Sequence, residues 1–234
     1  MPIRTILFDL DGTLLPMDQD VFIEAYFKPL AMKLAPHGYE PKKLIAAIWQ
    51  GTKAMILNDG SVTNEDAFWR CFAEEFGQDC RKDEPLFDDF YRHEFQQAAA
   101  VCGCNPEAAQ TIRTLKAQGY RLVLATNPIF PAIATESRIR WAGLNKEDFA
   151  LITTYENIGL CKPNPEYYRE ILRRIGCEPE ECLMVGNDVS DDMVARKLGM
   201  EVFLLTDCLI NKENTDISVY PNGSFEDLMA YIEQ

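Results

Sequence analysis

One apolar strand stands apart from the rest of this chain, and that isolation constrains the fold more than any other feature. Ile3, Ile6, Leu7 and Phe8 read as a buried strand. From about Asp18 to Ala100 the texture is helical instead. Val21, Phe22, Ala25, Tyr26 and Leu30 recur at helix spacing, as do Leu44, Ala47, Ile48 and Met55. Phe68, Phe72 and Phe76 follow, then Phe87, Phe90, Tyr91 and Phe95. Thr63-Asn64-Glu65-Asp66 has the form of a helix start with an acidic first turn. A lone strand cannot bury its own faces, so the first strand must join a sheet whose other strands lie far downstream.

Those strands follow Asn105. Leu122–Ala125, Ala150–Ile152, Cys182–Val185 and Val202–Leu205 read as short buried strands. Helical segments at Pro106–Gln118, Pro131–Trp141, Pro165–Ile175 and Asp191–Leu198 separate or follow them. Ile217-Ser218-Val219 is expected to add a further strand, and Phe225–Ile232 a closing helix. Alternating strands and helices imply right-handed crossovers and a parallel sheet covered on both faces. The expected fold is α/β, a doubly wound, Rossmann-like core of residues 1–16 and 102–234. An all-helical domain, 17–101, is inserted after the first strand.

In open parallel sheets, ligands bind at the carboxyl ends of the strands, so the residues there carry the functional argument. The first strand ends in Asp9 and Asp11, followed by Gly12 and Thr13. Two buried acids ask for a cation, although Asp11-Gly12 also fits a surface turn. Thr126 and Asn127 follow the second strand. Lys162 lies in Cys161-Lys162-Pro163, beyond the third. The fourth leads into Gly186-Asn187-Asp188-Val189-Ser190-Asp191-Asp192. Each residue alone has a plain reading: Thr126 as a turn residue, Lys162 as a solvated lysine, Asp188 as a helix cap. Asp191 and Asp192 suit a helix's first turn. Their order, each at a strand end or in the loop beyond, points to one shared crevice.

Composition narrows the partners. Net charge is −14, from 23 Lys and Arg against 37 Asp and Glu. Such a surface repels nucleic acid and anionic membranes, so neither is expected as a partner. No apolar run approaches the ~18 residues of a membrane span. Met1-Pro2-Ile3-Arg4 leads straight into the first strand, so no secretory leader is expected. The 8 cysteines are scattered without a CxxC pair and are expected to be reduced thiols in a cytoplasmic protein.

The four strand-end motifs together resemble the haloacid dehalogenase superfamily. Its first motif, Asp-x-Asp-Gly-Thr after an apolar strand, is matched by Asp9 to Thr13. Its second is matched at Thr126, its third at Lys162-Pro163 and its fourth from Gly186 to Asp192. The helical insertion resembles the family's mobile cap. The resemblance implies that Asp9 is the nucleophile, forming an aspartyl-phosphate. It implies a magnesium ion held by Asp9, the main-chain carbonyl of Asp11, and Asp188. Asp11 then acts as general acid and later as base. Thr126, the amide of Asn127, and Lys162 bind the phosphoryl group. Asn187 departs from the common form, which passes from Gly directly to Asp. It is expected to act through a water, and Asp192 to hold a metal-bound water or Lys162, with Asp191 the competing choice.

An acid two residues after the nucleophile argues for phosphoryl transfer over dehalogenation, because a halide leaves without a proton. The expected activity is hydrolysis of a small phosphorylated metabolite. A sugar-phosphate mutase and a catalytically silent binding module are the alternatives. Phe22, Tyr26, Trp49, Trp69 and Phe72 are candidates to line the cleft, although at helical spacing they also suit the insertion's own core.

Overall fold

The computed structural model describes residues 2–233. Six strands form one parallel sheet in the order β3-β2-β1-β4-β5-β6. They are β1 (Thr5–Phe8), β2 (Arg121–Leu124), β3 (Leu151–Ile152), β4 (Cys182–Gly186), β5 (Glu201–Leu205) and β6 (Asn222–Gly223). The chain builds β2 and β3 outward on one side of β1, then returns to build β4, β5 and β6 on the other. The direction of winding therefore reverses between β1 and β4, and this reversal opens a crevice at their carboxyl ends.

Both faces of the sheet are covered, as its continuous apolar runs require. Alternate residues point to opposite faces. Ile6, Phe8, Leu122, Leu124, Leu183 and Val185 pack on one side with α5 (Pro106–Ala117), α6 (Ala132–Trp141) and α8 (Phe225–Ile232). Leu7, Val123, Met184, Val202 and Leu204 pack on the other with α7 (Pro165–Ile175) and the tight helical turn Met193–Leu198.

Between β1 and β2 lie α1 (Gln19–Leu34), α2 (Pro41–Ile56), α3 (Asn64–Phe76) and α4 (Glu84–Arg92). The first three are capped from the local sequence: Asp18 accepts from Asp20 and Val21 N–H, Glu40 from Lys42 and Lys43 N–H, and Thr63 from Asp66 N–H. Phe22, Tyr26, Phe72, Phe87, Phe90 and Phe95 form their aromatic core. Ala134 of α6 is buried in that same cluster. The insertion also bonds directly to the loops beyond β2 and β3. Buried Asn64 donates Nδ2 to Pro128 O at 3.1 Å, its N–H bonds Ile158 O at 2.9 Å, and Glu65 N–H bonds Tyr155 O at 2.8 Å.

Two sequence expectations fail. The helix expected over Asp191–Leu198 is a tight helical segment over Met193–Leu198 alone, with Asp191 and Asp192 in the turn before it. The last expected strand lies elsewhere. Ile217–Val219 is a single tight helical turn, and the last strand is Asn222–Gly223. Asp216 caps the turn by accepting from Ser218 N–H at 3.0 Å, which closes the backbone locally before it can pair with β5.

Candidate active site

Sheet register brings the strand-end residues together. Phe8 lies opposite both Leu124 and Val185. Asp9 N–H bonds Val185 O at 2.9 Å, and Ala125 N–H bonds Phe8 O at 2.8 Å. Asp9, Thr126 and Asn187 therefore emerge at nearly one level. With Asp11, Asn127, Lys162, Asp188, Asp191 and Asp192 they line one cleft of about 520 Å³ beneath the helical insertion.

Asp9 is buried and held from two sides. Its Oδ1 accepts from Lys162 Nζ at 2.8 Å. Its Oδ2 lies 3.2 Å from the Thr13 hydroxyl, which is also 3.0 Å from Asn187 Oδ1 and has one proton to give to either. Lys162 is 2% exposed and lies 2.7 Å from Asp192 Oδ1. Burial alone would neutralise this lysine. The Asp192 and Asp9 carboxylates more than offset that penalty, and its pKa rises well above the ordinary lysine range. Of the two aspartates weighed from sequence, Asp192 is the one bonded to Lys162. Its Oδ2 also accepts from Asp188 N–H at 2.9 Å. Gly186 makes room for this arrangement, since a Cβ there would lie 2.0 Å from Asp192 Oδ2.

Asn187 makes direct contacts with the protein as well as lining the cleft. Its side chain is 1% exposed and bridges two loops, facing Thr13 through Oδ1 and donating Nδ2 to Cys208 O at 2.6 Å. It also packs against Gly12, whose φ of +84° places it in the left-handed region. A Cβ on Gly12 would lie 2.3 Å from Asn187 Nδ2. Asp188 uses Oδ1 to cap the following turn, accepting from Ser190 N–H at 2.8 Å and Asp191 N–H at 3.0 Å. Asp188 thus caps a turn rather than a helix, since the helical segment begins only at Met193, and it lines the cleft.

Three contributors escape sequence reasoning. Arg138 of α6 is fully buried and paired with Asp11 Oδ2. Tyr167 and Tyr168 of α7 brace the site from below. Their hydroxyls donate to Thr126 O and Asp191 O, each at 2.8 Å. Burial raises the Asp11 pKa; Arg138 opposes the rise and Asp9 adds to it. Asp11 Oδ1 is buried with no hydrogen-bond partner.

The donor set suits a hard divalent cation, which takes carboxylate and carbonyl oxygens. Asp9, Asp188, Asp191 and Asp192 share the cleft. Burial pushes Asp191 up to about 6; Lys162 works against this, while Asp188 and Asp9 add to it. Mutual repulsion of this kind is what a bound cation relieves. No three His, Cys, Asp or Glu side chains among the described residues converge tightly enough to hold a metal unaided. The expected set is of another kind, joining two carboxylates to a main-chain carbonyl.

The fold is α/β, with the candidate site at the carboxyl edge of a parallel sheet. The model of the haloacid dehalogenase-like hydrolases matches residues 3–199, and the chain belongs to that family. A phosphoglycolate phosphatase from Aquifex aeolicus is 27% identical over 204 residues, 86% of this chain and 84% of that protein. A glyceraldehyde 3-phosphate phosphatase from Methanothermobacter thermautotrophicus is 33% identical over 113 residues. That match covers 48% of this chain and about half (49%) of the relative. A solved phosphatase structure from Thermococcus onnurineus superposes with a TM-score of 0.62 at 20% identity, covering 98% of each chain, and shares the fold. Among the described residues, no helix is long and apolar enough to cross a membrane.

Proposed function

We propose that this enzyme is a magnesium-dependent phosphatase that hydrolyses a small-molecule phosphate monoester through an aspartyl-phosphate on Asp9. The observation that carries the reading is the setting of Asp9, a buried carboxylate at the cleft floor bonded to Lys162 and beside Thr126. Asp9 attacks phosphorus, forming a new P–O bond as the ester P–O bond breaks. Asp11 gives its proton to the leaving alkoxide, then takes one from the water that cleaves the acyl phosphate. The unpartnered Asp11 Oδ1 is the oxygen free for that exchange. The Thr126 hydroxyl and Asn127 amide donate to the phosphoryl oxygens, and Lys162 offsets charge as the transferring group moves. Asp9, Asp188 and the Asp11 carbonyl would hold the magnesium ion, which neutralises repulsion between carboxylate and phosphate dianion. The helical insertion acts as the cap over this floor.

The test measures phosphate release from acetyl phosphate and p-nitrophenyl phosphate with and without magnesium. Turnover is expected to need the metal and to vanish in Asp9→Asn. Undiminished turnover in that variant removes Asp9 as the nucleophile. Transfer to an added sugar hydroxyl without free phosphate identifies a mutase instead.

A further inference from the structure

We infer that the substrate is the phosphate monoester of an uncharged, ring-bearing alcohol rather than of a carboxylate or a second phosphate; the inference rests on the phosphatase reading above. Above the acidic floor the cleft is aromatic. Tyr26 and Phe27 of α1, Trp49 of α2, Phe68 and Trp69 of α3, and Phe130 from the loop after β2 line it. Tyr26 packs on Phe27 at 4.8 Å and on Phe130 at 5.6 Å; Phe27 packs on Trp49 at 5.5 Å. Trp49 is nevertheless 46% exposed, and Ile56, also lining the cleft, is 44% exposed. Large apolar side chains left open within a concave, otherwise well-packed wall offer surface for a ligand to cover.

Charge points the same way. Among the described residues, the only cations lining the cleft are Lys162 and Lys212. Lys162 is committed to Asp9 and Asp192. Lys212 is exposed on the loop after β5, where it bears on Asp191. No lysine, arginine or histidine of the helical insertion lines the cleft, whereas its Asp20, Glu84 and Asp88 do. The insertion's Arg81 and Arg92 pair with Glu84 and Asp88, each at 3.3 Å, without lining the cleft themselves. A leaving group with its own carboxylate or phosphate would therefore lose water against aromatic faces, with the exposed Lys212 the one cation outside the Lys162 cluster to answer it and three acids of the insertion to repel it. A neutral ring loses little on entering and stacks. A two-carbon acid such as glycolate would also leave much of the 520 Å³ filled by water against apolar walls.

The experiment compares kcat/KM, with magnesium, for 2-phenylethyl phosphate, phosphoglycolate and inorganic pyrophosphate, using acetyl phosphate to report the Asp9 chemistry separately. Expected is a preference of about tenfold or more for the phenylethyl ester over both anionic substrates. Trp49→Ala should erase most of that preference and Trp49→Phe should keep it. Thr52→Lys, which adds a cation to the wall, should move the ratio toward phosphoglycolate. Acetyl phosphate turnover combined with equal or better use of phosphoglycolate or pyrophosphate overturns the substrate class and leaves the phosphatase reading standing. Phosphate release from none of the four overturns both.

Discussion

Arg138 and Asp11 form an ion pair that locks the second acid of the first motif to α6, the helix that follows β2. The guanidinium is fully buried, lies 4.4 Å from the Phe130 ring centroid, and donates to the Thr135 hydroxyl at 3.2 Å. One Asp11 oxygen is thereby fixed in place and the other left unbonded. Removing the arginine strands a carboxylate that is itself only partly exposed. Arg138→Met should cost about 3 kcal/mol or more in urea denaturation. The double variant Arg138→Met/Asp11→Asn should recover part of that loss. Equal stability of the single and double variants would show that the pair is not coupled.

Asp191 gives a pH signature. Its pKa is raised to about 6, so the folded state holds a proton that the unfolded chain has released. The associated stability is fully present below pH ~4 and is lost as pH rises through about 6. In metal-free protein, Asp191→Asn should therefore be the more stable form at pH 8, by roughly 2 kcal/mol or somewhat more. The gap should close near pH 4. A gap of the same size at both pH values would remove titration as its cause.

Magnesium should raise the melting temperature of the native protein at pH 8, through preferential binding to the folded state. It should also shrink the advantage of Asp191→Asn, because the cation relieves the same repulsion. Asp188→Asn should abolish most of the magnesium-induced shift. A shift that survives intact in that variant places the metal elsewhere.

Gly186→Ala tests the tight packing beneath Lys162. The new methyl meets the Asp192 carboxylate, which must leave either Lys162 or the Asp188 N–H. The expected cost is about 1–3 kcal/mol, with a large fall in turnover. Gly38→Ala is the comparison, because a Cβ there meets nothing within 4 Å although Gly38 also has a positive φ of +95°. A cost no greater than that of Gly38→Ala rejects the steric account.

Why some of this was legible in sequence and some was not has a physical basis. Asp9, Thr126 and Asp188 each follow an apolar run closely, and a parallel sheet delivers every such end to one edge. Their convergence followed from counting strands. Arg138 sits inside α6, in the last turn, where a cation ordinarily favours the helix dipole and solvent. The only hint was its place four residues from Ala134 and from Ala142, all three of which are buried. The burial of Asn187 against Gly12 depends on the loop after β1, and its bond to Cys208 on the loop after β5, neither of which its own strand specifies. Four of the five aromatic candidates line the cleft, and Phe72 does not. Helical periodicity marks a side chain as apolar-facing without saying which apolar face it meets. Ile217–Val219 was too short for alternation to separate a strand from a capped turn.

The central position of β1 also bears on how the chain is made. Thr5 pairs with Arg121 on one side and with Cys182 on the other. The strand that leads into Asp9 leaves the ribosome before every other strand of the sheet, and neither neighbour exists until a large part of the chain has followed. Contacts so distant in sequence are slow to form. The intervening helices, which pack mostly against one another, can collapse during that wait. The floor of the cleft is thus completed late in synthesis, beneath a roof that can already be standing.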